Sequence, residues 1–137
     1  MRLIFDTNVL FDIARSRGVF AESSLKAYEQ VRPSGTPPLI APHSLATFNS
    51  MVFRAHDKAT ALDAVREILA TAGVTDFSHE AAMQSIQLNI PDFEDAMVTS
   101  AAIQADAGLI LTRNESDFKN LPVPVQSPEV YLKSSEA

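Results

Sequence analysis

Apolar runs alternate with amphipathic stretches along almost the whole chain. Arg2 to Phe5 is a short, mainly apolar run ending in Asp6-Thr7-Asn8, residues that favour helix N-caps, and Val9, Leu10, Ile13 and Ala14 then follow at helical spacing. A strand feeding a helix is predicted. Ala21 to Val31 reads as a second helix, closed by the breaker-rich stretch Arg32 to Pro38. Leu39 to Ala41 is a short buried strand, and after Pro42 the positions Leu45, Phe48, Met51 and Val52 return to a period near 3.6. Another helix is predicted from Lys58 to Thr71, with Gly73 where a C-terminal cap belongs. Val74 to Phe77 is strand-like.

Ser78 can cap a helix reaching Leu88, and Pro91-Asp92 opens one continuing to Asp106, which Gly108 ends. Leu109 to Thr112 carries the strongest buried-strand pattern, and Val123 to Val125, between prolines, reads as an edge strand. Strands alternating with helices indicate a three-layer α/β/α sandwich around a mainly parallel sheet, with right-handed crossovers. The expected unit is one domain over residues 1–132, followed by a polar, frayed tail at 133–137. In such sheets ligands sit beyond the carboxyl ends of the strands, near a topological switch point.

Composition narrows the class. The 137 residues are 46% hydrophobic, enough for one sizeable core. Cysteine is absent, which removes disulfides, thiolate metal sites and Cys nucleophiles together and suits a reducing compartment. No run approaches the ~18 apolar residues of a membrane span. The opening MRLIFDTN lacks the form of a signal peptide, so a cytoplasmic protein is expected. With 17 acidic against 11 basic residues the net charge is −6, which disfavours holding nucleic acid by bulk electrostatics. A local basic rim built from Arg15, Arg17, Arg54, Lys58, Arg113 and Lys119 would overcome that, although each also reads as an ordinary surface charge.

Three acidic positions then stand out. Asp6 follows the first strand, Asp95 lies in the first turn of the helix opened by IPDFEDAM, and Asp117 lies five residues past the Leu109 to Thr112 strand. Singly, each has a structural explanation. Asp6 can cap a helix, Asp92 is a natural N-cap that places Asp95 at the third helical position, and Asp117 suits a turn. Jointly, they can meet at one sheet edge and bind a hard divalent cation, Mg²⁺ or Mn²⁺, through oxygen ligands. Paired ions roughly 3.5–4 Å apart support phosphodiester hydrolysis.

The joint pattern resembles the PIN-domain nucleases, and more closely the small VapC-type toxin ribonucleases of bacterial toxin–antitoxin pairs. The resemblance rests on DTNVLFD at Asp6 to Asp12, PHSLATF at Pro42 to Phe48, DFEDAM at Asp92 to Met97 and LTRNESDF at Leu111 to Phe118, followed by PVPVQSPEVYL. It implies that Asp6, Asp95 and Asp117 bind metal, that Asn8 supports Asp6, and that Thr112 and Asn114 are polar positions of the closing motif. Asp92 is an additional acid able to reach the site, with capping as its other role. One departure is plain. The family usually adds an acid, typically Glu, early in the helix after the second strand, and here Thr47 takes that place. Weaker metal binding is expected, with Asp92 or Glu94 as compensating acids; His43 suits Mg²⁺ poorly.

The resemblance further implies an RNA substrate, an antitoxin partner that blocks the cleft, and a homodimer paired through helices, to which the stretch Phe48, Met51, Val52 and Phe53 would contribute where it is not core. Two other readings compete. A catalytically silent PIN-like module that binds a protein or RNA fits the missing acid. A receiver-like phosphoacceptor domain would also cluster Asp residues at strand ends, but it calls for an acidic pair in the first loop, where Asp6 stands alone.

Overall fold

The computed structural model describes residues 1–15, 18–31, 35–118 and 121–136. Arg17 and Lys119, named above for the basic rim, lie outside them, as do residues 32–34 of the predicted breaker stretch. Five strands form one sheet: β1 (Leu3–Phe5), β2 (Leu39–Ile40), β3 (Gly73–Val74), β4 (Leu109–Leu111) and β5 (Val125–Gln126). Their order is β3-β2-β1-β4-β5, and every neighbouring pair is parallel. The polypeptide winds outward from β1 through β2 to β3, then returns to place β4 on the other side of β1. The topological switch point therefore lies between β1 and β4. A receiver-like domain has the order 2-1-3-4-5, so that reading is excluded by the observed sheet.

Alternation along the short strands supplies both cores, because successive side chains of a strand point to opposite faces. Leu3, Phe5, Leu109 and Leu111 join one apolar cluster with Val9, Leu10, Phe48 and Val52. Ile4 and Ile110 join the other, with Val98, Ala101, Ala102 and Phe118. Helices α1 (Thr7–Arg15), α2 (Gly18–Val31), α3 (Pro42–Ala55) and α4 (Lys58–Thr71) contribute to the first layer, and α6 (Phe93–Gln104) to the second, where it packs against α5 (His79–Gln87). The α/β/α sandwich is thus observed. Small residues on α6 allow this close approach: Ala96, Ala101 and Ala102 are fully buried.

Several local expectations need correction. Gly73 is not a left-handed helix cap. α4 ends through Ala72, and Gly73 begins β3, its N–H donating to Pro38 O at 2.9 Å. The third strand accordingly lies earlier than Val74 to Phe77. Gly108 does not end α6 either. Asp106 adopts the left-handed conformation (φ 56°), while Gly108 allows the backbone to lie against Met1, where an added Cβ would come within 2.6 Å of the Met1 side chain. The region expected to fray continues as α7 (Pro128–Glu136), which starts at Ser127, whose Oγ accepts from Val130 N–H at 3.2 Å. Among the described residues no helix is long and apolar enough to cross a membrane.

Candidate metal centre

Asp6 follows β1 and stands at the N-terminus of α1, so the same residue ends a strand and starts a helix. Its backbone N–H donates to Leu111 O at 2.9 Å, continuing the β1–β4 ladder, and its C=O accepts from Val9 N–H at 3.1 Å. The side chain is 6% exposed. Oδ1 accepts from Thr7 N–H at 2.8 Å, and Oδ2 accepts from the Thr112 hydroxyl at 2.8 Å and more distantly from Asn8 Nδ2 at 3.5 Å. Burial raises the Asp6 carboxyl above its ordinary value, opposed by the bonds from Thr112 and Thr7.

Asn8 and Thr112 both donate to the Asp6 carboxylate. Asn8 Nδ2 also reaches Thr112 Oγ1 at 3.3 Å, and its Oδ1 accepts from Arg113 N–H at 3.1 Å. The wholly buried Thr112 hydroxyl accepts from Asn114 N–H at 3.1 Å. Asn114 thus contributes through its backbone, whose C=O also accepts from Asp117 N–H at 3.0 Å, shaping the 3₁₀ turn Glu115–Phe118.

Asp95 reaches the same region from the other layer. Asp92 is the N-cap of α6, its Oδ1 accepting from Asp95 N–H at 3.1 Å, which puts Asp95 at the third helical position. Asp95 is only 8% exposed. Burial, then the charges of Asp6, Asp92, Asp117 and Glu94, push its carboxyl from 3.8 up to about 7. Asp117 is on the exposed 3₁₀ turn, yet its charge is felt at Asp95. Asp95, on α6, thus feels the charges of both Asp6, just after β1, and Asp117, in the turn after β4. Among the described residues, no group of three or more Asp, Glu or His side chains stands close enough to hold an ion as a finished cage. The chemistry of the set suits a hard divalent cation, because its acidic donors are all oxygen.

Thr47 is engaged with its own helix, donating to His43 O at 3.1 Å. One turn earlier, His43 Nε2 bonds Glu94 O at 3.1 Å, pinning α3 to the start of α6. Thr47, Asn49, Phe53, Arg54 and Glu94 border one surface depression. Of the described rim residues, only Arg54 is found there. Arg15 instead lines a cleft of about 380 Å³ that also includes Phe11, Leu25, Tyr28 and Val52 and none of the three aspartates.

Arg113 overturns its assignment to an RNA-facing rim. The guanidinium donates to Asp12 Oδ2 (2.8 Å), Ser24 Oγ (2.8 Å), Phe20 O (2.9 Å) and Glu129 Oε1, and lies 4.5 Å over the Phe20 ring. It ties the loop after β4 to α1, α2 and α7. Burial would lower its pKa, but the bonds it donates to Glu129 and Asp12 hold it above the ordinary value. No sequence signal marks this hub, because its partners lie up to 101 positions away.

A family model described as PIN domain matches residues 2–116. Comparison with curated proteins finds no match. Among solved structures, VapBC2 from Rickettsia felis, bound to a DNA fragment from their promoter, is similar with a TM-score of 0.76 at 20% identity, over 93% of this protein and 98% of that one. A toxin–antitoxin complex from Klebsiella pneumoniae gives 0.72 at 22% identity, over 92% and 97%. The Mycobacterium tuberculosis toxin VapC20, which cleaves the sarcin–ricin loop, gives 0.66 at 10% identity, over 79% and 86%. At these identities the likeness is one of fold.

Proposed function

The chain belongs to the PIN domain family, and from that membership we propose that it is a metal-dependent endoribonuclease, the toxin of a toxin–antitoxin pair, acting through Asp6, Asp95 and Asp117. The observation that carries this reading is a pair of buried carboxyls, Asp6 at the β1–β4 switch point and Asp95 in the first turn of α6, neither of them in a salt bridge among the described residues. Buried acids arranged to repel one another are costly to a fold and suit a site that receives positive charge. Similarity to solved toxin–antitoxin complexes and to a toxin that cleaves the sarcin–ricin loop supports the choice of RNA as substrate and of an antitoxin as partner. A cytoplasmic homodimer completes the proposal.

Asp6, Asp95 and Asp117 would hold Mg²⁺ or Mn²⁺, which supplies activation of a water and charge neutralisation at the scissile phosphate. The protein's own part is positional. Thr7, Asn8 and Thr112 donate to both Asp6 oxygens, so this carboxylate is presented in one orientation. Asp92 caps the first turn of α6. Asp117 stands on the exposed turn after β4. Arg54 at the edge of the neighbouring depression can attract RNA phosphate without reading sequence.

A second reading, a catalytically silent module that binds a protein or RNA, draws on the Thr47 hydroxyl being turned into its own helix. Incubation of structured RNA with the protein under Mn²⁺, Mg²⁺ or EDTA, beside Asp95→Asn, separates the two. Metal-dependent cleavage that falls about 100-fold or more in the variant supports the nuclease, and no cleavage by either protein under any metal supports the silent module.

A further inference from the structure

Asp6 and Asp95 stand at the starts of helices on opposite faces of the sheet, and the first turn of α3 bonds to the chain beside each of them. α3 begins at Pro42, straight after β2, the parallel neighbour of β1, so its first turn emerges at the same sheet edge as Asp6. Ser44 O accepts from the Thr7 hydroxyl at 3.4 Å, and the Thr7 N–H donates to Asp6 Oδ1 at 2.8 Å. One residue earlier, His43 Nε2 bonds Glu94 O at 3.1 Å, and Glu94 immediately precedes Asp95. A carbonyl oxygen only accepts, so Nε2–H is the donor. The other ring nitrogen, Nδ1, is buried without a hydrogen-bond partner, which leaves the bond to Glu94 as the one polar contact of this side chain among the described residues. The imidazole also stands edge-on to the Phe77 ring, with centroids 6.2 Å apart, so packing supports its orientation.

We propose that His43 is a positioning residue for the metal centre: its N–H clamps the first turn of α6 to the first turn of α3, and through Ser44 and Thr7 this sets Asp95 at its working separation from Asp6. This rests on the metal-dependent reading of the site given above. His43 acts through the Glu94 backbone and is not a ligand. Its value follows from the charges it holds together. When both are ionised, two buried carboxylates push their helix starts apart, and neither Asp6 nor Asp95 is in a salt bridge among the described residues. The clamp opposes that push, so a cation meets donors already in place.

Mn²⁺ binding by isothermal titration calorimetry, read beside the melting temperature, tests this without reference to cleavage. The parent is compared with His43→Gln, His43→Asn, His43→Leu and Ser78→Ala. Gln can place an amide N–H where Nε2–H stands, the shorter Asn amide stops short of Glu94 O, and Leu has no donor. Ser78→Ala removes the N-cap of α5 beside Gln104, at the far end of α6 from Asp95, and controls for lost stability alone. Mn²⁺ affinity is expected to stay within about threefold of the parent in His43→Gln and Ser78→Ala, and to weaken about tenfold or more in His43→Asn and His43→Leu. Should one of the last two fail to fold, the other supplies the result. Parent-like affinity in either folded variant overturns the assignment while leaving the three-aspartate site standing. Equal weakening in His43→Gln overturns it as well, since the N–H is then not the cause, and so does equal weakening in Ser78→Ala, since affinity then follows stability. A parent that binds no Mn²⁺ overturns both this assignment and the reading it rests on.

Discussion

The Thr112 hydroxyl donates to Asp6 Oδ2 at 2.8 Å across 106 positions of sequence, joining the carboxyl ends of β1 and β4 at the point where the sheet reverses its winding. That hydroxyl also accepts from Asn8 and from Asn114 N–H, so one small side group organises both motifs. Thr112→Val keeps the shape and removes the bonding. It should cost about 1–3 kcal/mol, because buried partners lose their donor and acceptor. Urea denaturation gives the stability, and RNA cleavage should fall about tenfold or more.

Asp95 makes stability depend on pH in a defined direction. Its carboxyl rises from 3.8 to about 7 on folding, so the folded state binds the proton more tightly than the unfolded state does. The associated stability is complete below about pH 4 and is lost as the pH rises through about 7. Asp6, also raised, acts in the same sense. Thermal melts in EDTA should therefore show Asp95→Asn more stable than the parent at pH 8, by on the order of a few degrees, and equal to it near pH 4. A parent that is the more stable of the two at pH 8 would contradict this.

Asp92 is assigned to capping. Asp92→Ala should destabilise the protein by about 1 kcal/mol, whereas Asp92→Asn, which retains an accepting oxygen, should cost a few tenths. Both variants should cleave RNA within about threefold of the parent once folded. Denaturation and initial-rate measurements on the pair separate the cap from a ligand role, because a ligand would make the Asn variant inactive.

Arg113 is assigned to the interior. Arg113→Met strands Asp12 and the partly exposed Glu129 together, and should cost about 2–3 kcal/mol, below the value for a wholly buried pair. Arg113→Lys should recover only part, since one ammonium cannot reproduce the fork. In the folded Lys variant the salt dependence of RNA binding should match the parent. A shallower slope would return Arg113 to the phosphate-contacting rim.

Legibility in the sequence depended on the range of the signal. Asp6, Asp92 and Ser78 sit where a strand ends or a helix begins, and cap chemistry is local, so their structural positions were legible; the capping bonds from Asp92 and Ser78 are observed. The sheet was legible from short apolar runs, and β5 does lie at an edge. α7 escaped because only Val130, Tyr131 and Leu132 are apolar in it; Tyr131 and Leu132 gain their order by packing on the first core, although Ser127-Pro128 is a recognisable start signal. Arg113 could not be placed at all, because an arginine beside a strand reads the same whether its acids are absent or brought in from Asp12 and Glu129. Of the stretch considered for dimerisation, Phe48 and Val52 are core and Phe53 is exposed, a difference set by which helix faces pack together.

Asp6, Asp95 and Asp117 are proposed to form one divalent-metal centre, and everything said of the reaction depends on it. Crystals grown with Mn²⁺ and measured near the manganese absorption edge test it most directly. An anomalous peak is expected within about 2.0–2.4 Å of carboxylate oxygens from all three residues, absent from crystals of Asp95→Asn grown the same way. No peak at these residues in the parent at saturating Mn²⁺, or a peak that survives unchanged in Asp95→Asn, would contradict it.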